Sequence, residues 1–126
     1  MPFTVTYNTD LAIVETIFFG NVSVEEAERE VFESHQLALE QDCRLFFADL
    51  SKAEPQLSLF DVLEMPKTYE KAGWDRRARV AFIPPSSVEG RRIAEFYETV
   101  YMNRGWAVKS FSHKQPAVQW LTESAE

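Results

Sequence analysis

Short apolar runs alternate along this chain with segments of helical period, and that alternation restricts the folds open to it more than any single motif does. Phe3, Val5 and Tyr7 interleave with Thr4, Thr6 and Asn8, the turn-forming Asn8-Thr9-Asp10 follows, and a β-rich run extends from Leu11 to Phe19. This reads as an opening β-hairpin. Gly20-Asn21-Val22 is expected to break the run. Ser23-Val24-Glu25-Glu26 has the form of a capping box, in which the serine and the glutamate three residues later satisfy amide donors at a helix start. The helix that follows, to about Glu40, carries Ala27, Val31 and Ala38, with Phe32 and Leu39 alongside, as an apolar stripe to lay on a sheet.

The next run, Arg44-Leu45-Phe46-Phe47-Ala48, is short and apolar and ends at Asp49, as a central strand buried on both faces would. In the helical segment beyond it, Leu57, Phe60, Leu63 and Glu64 keep period until Pro66, where the missing amide hydrogen and the ring clash predict a stop or kink. Arg77 to Ile83 reads as a strand running into Pro84-Pro85. Ser86 or Ser87 can cap a helix whose Ile93, Phe96, Tyr97, Val100 and Tyr101 share a face and which Gly105 can end in the left-handed conformation. Trp106 to Phe111 reads as the last strand. Ser112-His113-Lys114-Gln115 repeats the capping-box pattern before a closing helix that turns Ala117, Trp120 and Leu121 inward. The order β-β-α-β-α-β-α-β-α predicts an α/β fold with a five-stranded mixed sheet. An antiparallel hairpin opens it, parallel strands joined by right-handed crossovers follow, and four or so helices cover it. Leu45, Phe47, Val80, Phe82, Ile93, Phe96, Val100, Trp120 and Leu121 are expected in the core.

A chain of 126 residues removes roughly two-thirds of its unfolded surface from water on folding, so one domain spanning 1–126 with one core is expected. One cysteine, Cys43, can build neither an internal disulfide nor a zinc cluster. The start of the chain, Met1 to Val5, has no basic end or long apolar run, so neither signal peptide nor membrane span is expected, and the protein is read as cytoplasmic. Net charge is −7, and it is unevenly placed: residues 1–63 hold 12 acids and 3 bases, residues 64–126 hold 8 acids and 10 bases. The acidity is concentrated on the first helix as a solvated face. Without a dense basic stripe, nucleic acid is not an expected partner, because neutralising phosphates dominates that affinity. The 17 aromatic residues, many for so short a chain, raise the expectation of a homodimer.

From Arg44 onward the residues resemble the STAS superfamily, the fold of bacterial anti-sigma-factor antagonists, and especially its antagonist-like branch grouped with CRAL-TRIO-like lipid binders. Leu45-Phe46-Phe47-Ala48-Asp49-Leu50-Ser51 is similar to the family strand that ends in an Asp-Leu-Ser turn. Phe96 to Val108, followed by Ala117-Val118-Gln119-Trp120-Leu121, is similar to the closing helix, strand and helix of that branch. The resemblance implies that Ser58, at the start of the second helix, matches the serine that phosphorylatable antagonists use as a switch. Here Leu57 stands in place of the family's preceding aspartate and Leu59 in place of a small residue, so the motif is incomplete. Ser58-Leu59-Phe60-Asp61 also fits a plain helix cap, and the flanking leucines predict a segment drawn partly into the core, away from a kinase.

Other candidate residues gather at the carboxyl ends of strands, the edge where ligands of open α/β sheets bind. Asp49 and Ser51 lie there, as do Ser86 and Ser87 at a helix start, with Arg91 and Arg92 to add positive charge for an anion. Each also has a structural reading as a turn or cap, which is favoured. His35 and His113 have no ligand at metal spacing, and no metal or other cofactor is implied. With no catalytic constellation recognised, the first functional reading is a non-enzymatic binding or regulatory module that docks a protein partner. The second is a carrier of a small apolar or lipid-like ligand. A hydrolase or transferase using Asp49 with Ser51 or Ser58 ranks last.

Overall fold

The computed structural model describes residues 2–123. Strand β1 (Phe3–Asn8) and strand β2 (Ile13–Val22) form the hairpin, antiparallel, with Phe3 opposite Phe18 and Asn8 opposite Ile13. The Asn8 side chain accepts the Leu11 amide at 3.0 Å and the Asn8 carbonyl accepts the Ala12 amide at 2.8 Å. Leu11 therefore belongs to the turn, and the second strand starts later than its β-rich composition suggested. Its end is also later. Gly20, with φ of +70, Asn21 and Val22 continue the strand and pair with Ala53, Glu54 and Pro55, because strand β3 (Leu45–Pro55) extends alongside them.

The rest of the order is helix α1 (Val24–Gln41) before β3, then α2 (Leu59–Ala72), β4 (Arg79–Ile83), α3 (Val88–Asn103), β5 (Ala107–Ser110) and α4 (Lys114–Thr122). The sheet runs β1-β2-β3-β4-β5 in space, with every pair after the hairpin parallel. The expected five-stranded mixed sheet with four helices is the one observed. Crossovers of one hand between successive neighbours put α1, α2 and α3 on the same face. There Phe3, Val14, Phe18, Phe46, Val80 and Val108 meet the helices. Among the described residues the other face is covered by α4 alone, where Ala117 and Leu121 pack on Ile13, Phe47 and Ala81. Lys114 anchors that helix to β2 through Glu15 at 2.9 Å.

Ser23 forms the predicted capping box with Glu26, each side chain bonding the other's amide, at 3.2 and 2.9 Å. At α4 the repeat of the pattern is not used: His113 is the N-cap and makes no side-chain cap bond. Pro66 neither stops nor ends α2. It is fully buried within the helix, beside buried Met65, Thr68 and Tyr69, and this packing outweighs the lost hydrogen bond. The inward face of α2 is Val62, Met65 and Tyr69, so Phe60 and Leu63 point away from the sheet, against the sequence-based expectation. Phe32 and Leu39 of α1 are likewise exposed, since Ala27, Val31, Ser34 and Ala38 already fill that helix's contact stripe.

Phe47, Val80, Phe82, Ile93, Val100 and Leu121 are buried as expected, whereas Leu45, Phe96 and Trp120 are half-buried. Trp120 packs partly buried against the cluster under α4, and the Arg79 guanidinium covers it 4.3 Å from the ring centre. Gly90 sits one helical turn inside α3 where a Cβ would come within 2.6 Å of the Pro85 side chain, so the approach of α3 to the end of β4 demands glycine.

Leu121→Ala is expected to cost about 2–5 kcal/mol, because the side chain is almost fully buried and holds α4 on the sheet. Phe96→Ala should cost less, since Phe96 is only half-buried. Urea unfolding of the two variants checks the order, and equal losses would contradict the assigned burial.

Candidate functional site

The middle of β3 and the starts of α2 and α3 carry the residues singled out in the sequence, and each is held by local chemistry. Asp49 is not in a turn. It lies within β3, opposite Ile17 of β2 and Ile83 of β4, and its carboxylate accepts the Ser51 amide at 2.9 Å. Between Ile17 and Phe19 the register with β3 advances from Asp49 to Lys52, so Leu50 and Ser51 form a β-bulge. The Asp-Leu-Ser segment thus bends a continuing strand instead of ending one.

Ser58 is the N-cap of α2. Its hydroxyl accepts the Asp61 amide at 3.0 Å, and the Asp61 carboxylate accepts the Ser58 amide at 2.8 Å. Of the two leucines expected to draw this segment partly into the core, Leu57 does pack against it, half-buried, whereas Leu59 does not. Ser58 is exposed and Leu59 is 37% exposed, because the inward roll of α2 is set by residues further along. At α3 the cap is Ser87, not Ser86: its hydroxyl accepts the Gly90 amide at 2.9 Å and donates to the Glu54 carboxylate at 3.2 Å. Arg91 donates to the Ser86 carbonyl at 3.2 Å, and Arg92 pairs with Glu89 at 2.9 Å. A carboxylate already faces the positive end of the α3 dipole, so Ser86, Ser87, Arg91 and Arg92 do not converge on an anion site. Among the described residues no hydrogen bond joins Asp49 to Ser58, Ser86 or Ser87.

A different group of residues surrounds a cavity of about 100 Å³ between the sheet and the three helices. Its wall is apolar, with Phe18, Phe46, Phe82, Val62, Met65 and Ile93 contributing from both sides. The polar groups reaching it are few. Glu30 of α1 turns its carboxyl inward to accept the hydroxyl of Thr16, a residue 2% exposed, at 2.7 Å. Tyr69 of α2 and Tyr97 of α3 share a 2.8 Å hydrogen bond between their hydroxyls. Burial pushes the Glu30 carboxyl up to about 7, against the pull of the Thr16 and Ser34 hydroxyls, and the nearby Glu33 charge adds to the rise. Burial likewise holds the Tyr69 and Tyr97 phenols above their ordinary range, so both stay protonated.

Sequence reasoning missed this group by counting Glu30 with the solvated acids of α1. The signal was its phase: Glu30 lies three residues after Ala27 and four before Ser34, both buried, which places it on the margin of the inward stripe.

No protein-family model matches the sequence, and no curated protein does. Solved structures do match by shape. One is the anti-sigma factor antagonist SpoIIAA in its unphosphorylated form, with a TM-score of 0.55, 14% sequence identity, and coverage of 97% of this chain and 99% of that one. The fold is SpoIIAA-like. A second, an uncharacterized protein of the DUF3478 family with a SpoIIAA-like fold from Shewanella loihica PV-4, matches at a TM-score of 0.54 and 18% identity, over 94% of this chain and 91% of that one. The STAS-like resemblance read from Asp49-Leu50-Ser51 and the closing elements therefore holds at the level of fold. Among the described residues no helix is long and apolar enough to cross a membrane.

Because the folded state raises the Glu30 carboxyl from 4.5 to about 7, it binds that proton more tightly than the unfolded chain does. Stability is thus lost as pH rises through this window, by up to about 3 kcal/mol. Glu30→Gln removes the titration while keeping the shape. The variant's stability advantage over wild type is expected to be larger at pH 8 than at pH 5 in urea unfolding, and an equal gap at both would show the carboxyl to be solvated.

Proposed function

We propose that the protein is a non-enzymatic binding module of STAS-like type that docks a protein partner on the first turns of α2. The observation that carries this reading is the exposure of large apolar side chains there: Leu59 at 37%, Phe60 at 67% and Leu63 at 39%. Leu63 follows Phe60 by three positions and Leu59 by four, so the three share one helical surface, and aromatic side chains such as Phe60 are enriched at the cores of protein interfaces. The similar solved structure of an anti-sigma factor antagonist lends support, since its fold is shared over nearly the whole chain. Ser58 borders this surface as a cap. A phosphate on it would stand against the Asp61 carboxylate that already satisfies the Ser58 amide, so we read the docking surface as permanent and not phosphate-controlled.

A second reading, carriage of a small apolar ligand, is favoured by the cavity walled by Phe18, Phe46 and Phe82.

Phe60→Glu is expected to weaken binding of a partner purified from the native host roughly tenfold or more. Val88→Glu, at an 85% exposed site at the start of α3, should leave it unchanged. Far-UV circular dichroism establishes that both variants fold. Equal affinity for wild type and Phe60→Glu would remove this docking surface.

A further inference from the structure

The cavity carries a polar asymmetry that specifies more than hydrophobic bulk. Thr16 spends its hydroxyl hydrogen on Glu30, and the Tyr69 and Tyr97 hydroxyls share one hydrogen bond, which uses one of their two hydrogens. The strongest acceptor with capacity to spare is the Glu30 carboxyl, whose two oxygens offer about four lone-pair directions. Where the Glu30 carboxyl is ionised, a visitor that only accepts hydrogen bonds would meet those lone pairs unfavourably. A visitor carrying its own carboxylate would bring a second negative charge into an apolar space, which is costlier still. A donor would be welcomed, because a buried carboxylate short of partners is the most expensive group in the cavity.

Resting on the second reading above, we propose that this cavity binds a compact apolar molecule bearing a single hydrogen-bond donor, with the donor on the Glu30 carboxyl and the body among Phe46, Val62, Met65, Phe82 and Ile93. The volume of about 100 Å³ sets the size. A dry apolar cavity of roughly 150 Å³ in another protein holds benzene, so a single substituted ring or a short branched chain is the scale that fits, with small adjustments of the wall. Long-chain fatty acids are disfavoured twice, by length and by charge. The wall residues Leu50 and Pro55 of β3 and Leu57, next to the start of α2, are half-buried.

The test compares p-cresol with p-xylene, molecules of one shape that differ in the donor, on the full chain at pH 8. Calorimetry gives the affinities, and methyl chemical shifts of Val62, Met65 and Ile93 locate the binding. Both probes should shift those methyls. The ratio of p-cresol to p-xylene affinity should fall roughly tenfold or more on replacing Glu30 by Leu, the loss expected for one charge-assisted hydrogen bond. Glu30→Leu removes a buried charge and should fold at least as well as wild type; Glu30→Gln, which keeps an acceptor oxygen, should retain part of the ratio. If both probes bind at these methyls with a ratio that Glu30→Leu leaves unchanged, donor recognition is overturned while ligand carriage stands. If neither probe shifts the methyls at millimolar concentration, carriage and donor recognition both fall.

Discussion

Tyr69 sits where α2 meets α3, the sheet and the segment leading to β4, and its packing organises the helical face of the molecule. Its ring lies 4.5 Å from Trp74, 4.8 Å from Tyr101 and 5.6 Å from Trp106, centre to centre, and its hydroxyl bonds Tyr97. Trp74 stacks on Phe46 of the central strand at 4.1 Å and donates its indole hydrogen to the Val31 carbonyl of α1. One aromatic cluster therefore ties three helices to β3. Such contacts are directional as well as apolar, so they set the roll of each helix and not merely its proximity to the sheet.

The roll of α2 has consequences at its other end. Phe60 precedes Tyr69 by about two and a half helical turns, which puts the two on opposite sides of the helix. With Tyr69 inside, Phe60 must face out, and Leu59 and Leu63 flank it. Had the first turn of α2 buried its own aromatic, the cluster around Trp74 would lose its central ring. The exposed apolar surface next to Ser58 is thus the geometric counterpart of the core.

The same arrangement leaves the cavity. Between the aromatic cluster and the bulged end of β3, the wall is made of side chains that do not reach one another, and Glu30 enters from α1. A carboxyl at this depth lowers stability at neutral pH, which a sequence shaped for stability alone would avoid. The exposed face of α2 and the inward-turned acid of α1 are two places where this chain departs from the most stable version of its fold. Both readings of function rest on them.

Local signals read well from the sequence wherever neighbouring residues settle the outcome. The strand and helix order, the capping boxes at Ser23 and Ser58 and the resemblance carried by Asp49-Leu50-Ser51 depend on residues a few positions apart, whose hydrogen bonds and periodicity are set by the backbone they share. What was not legible depended on distant partners. Pro66 continues a helix because Tyr69 beyond it is anchored by Trp74, Tyr101 and Trp106. The Asp49 segment is a bulge because β2 runs alongside to Val22 and keeps β3 extended to Pro55. Glu30 looks like one more surface acid until Thr16 of β2 is brought against it. Sequence by itself determined which elements form and in what order, since that is short-range chemistry. Tertiary structure alone decided which face of each helix is buried, because that choice is made by side chains competing for the same space across the sheet.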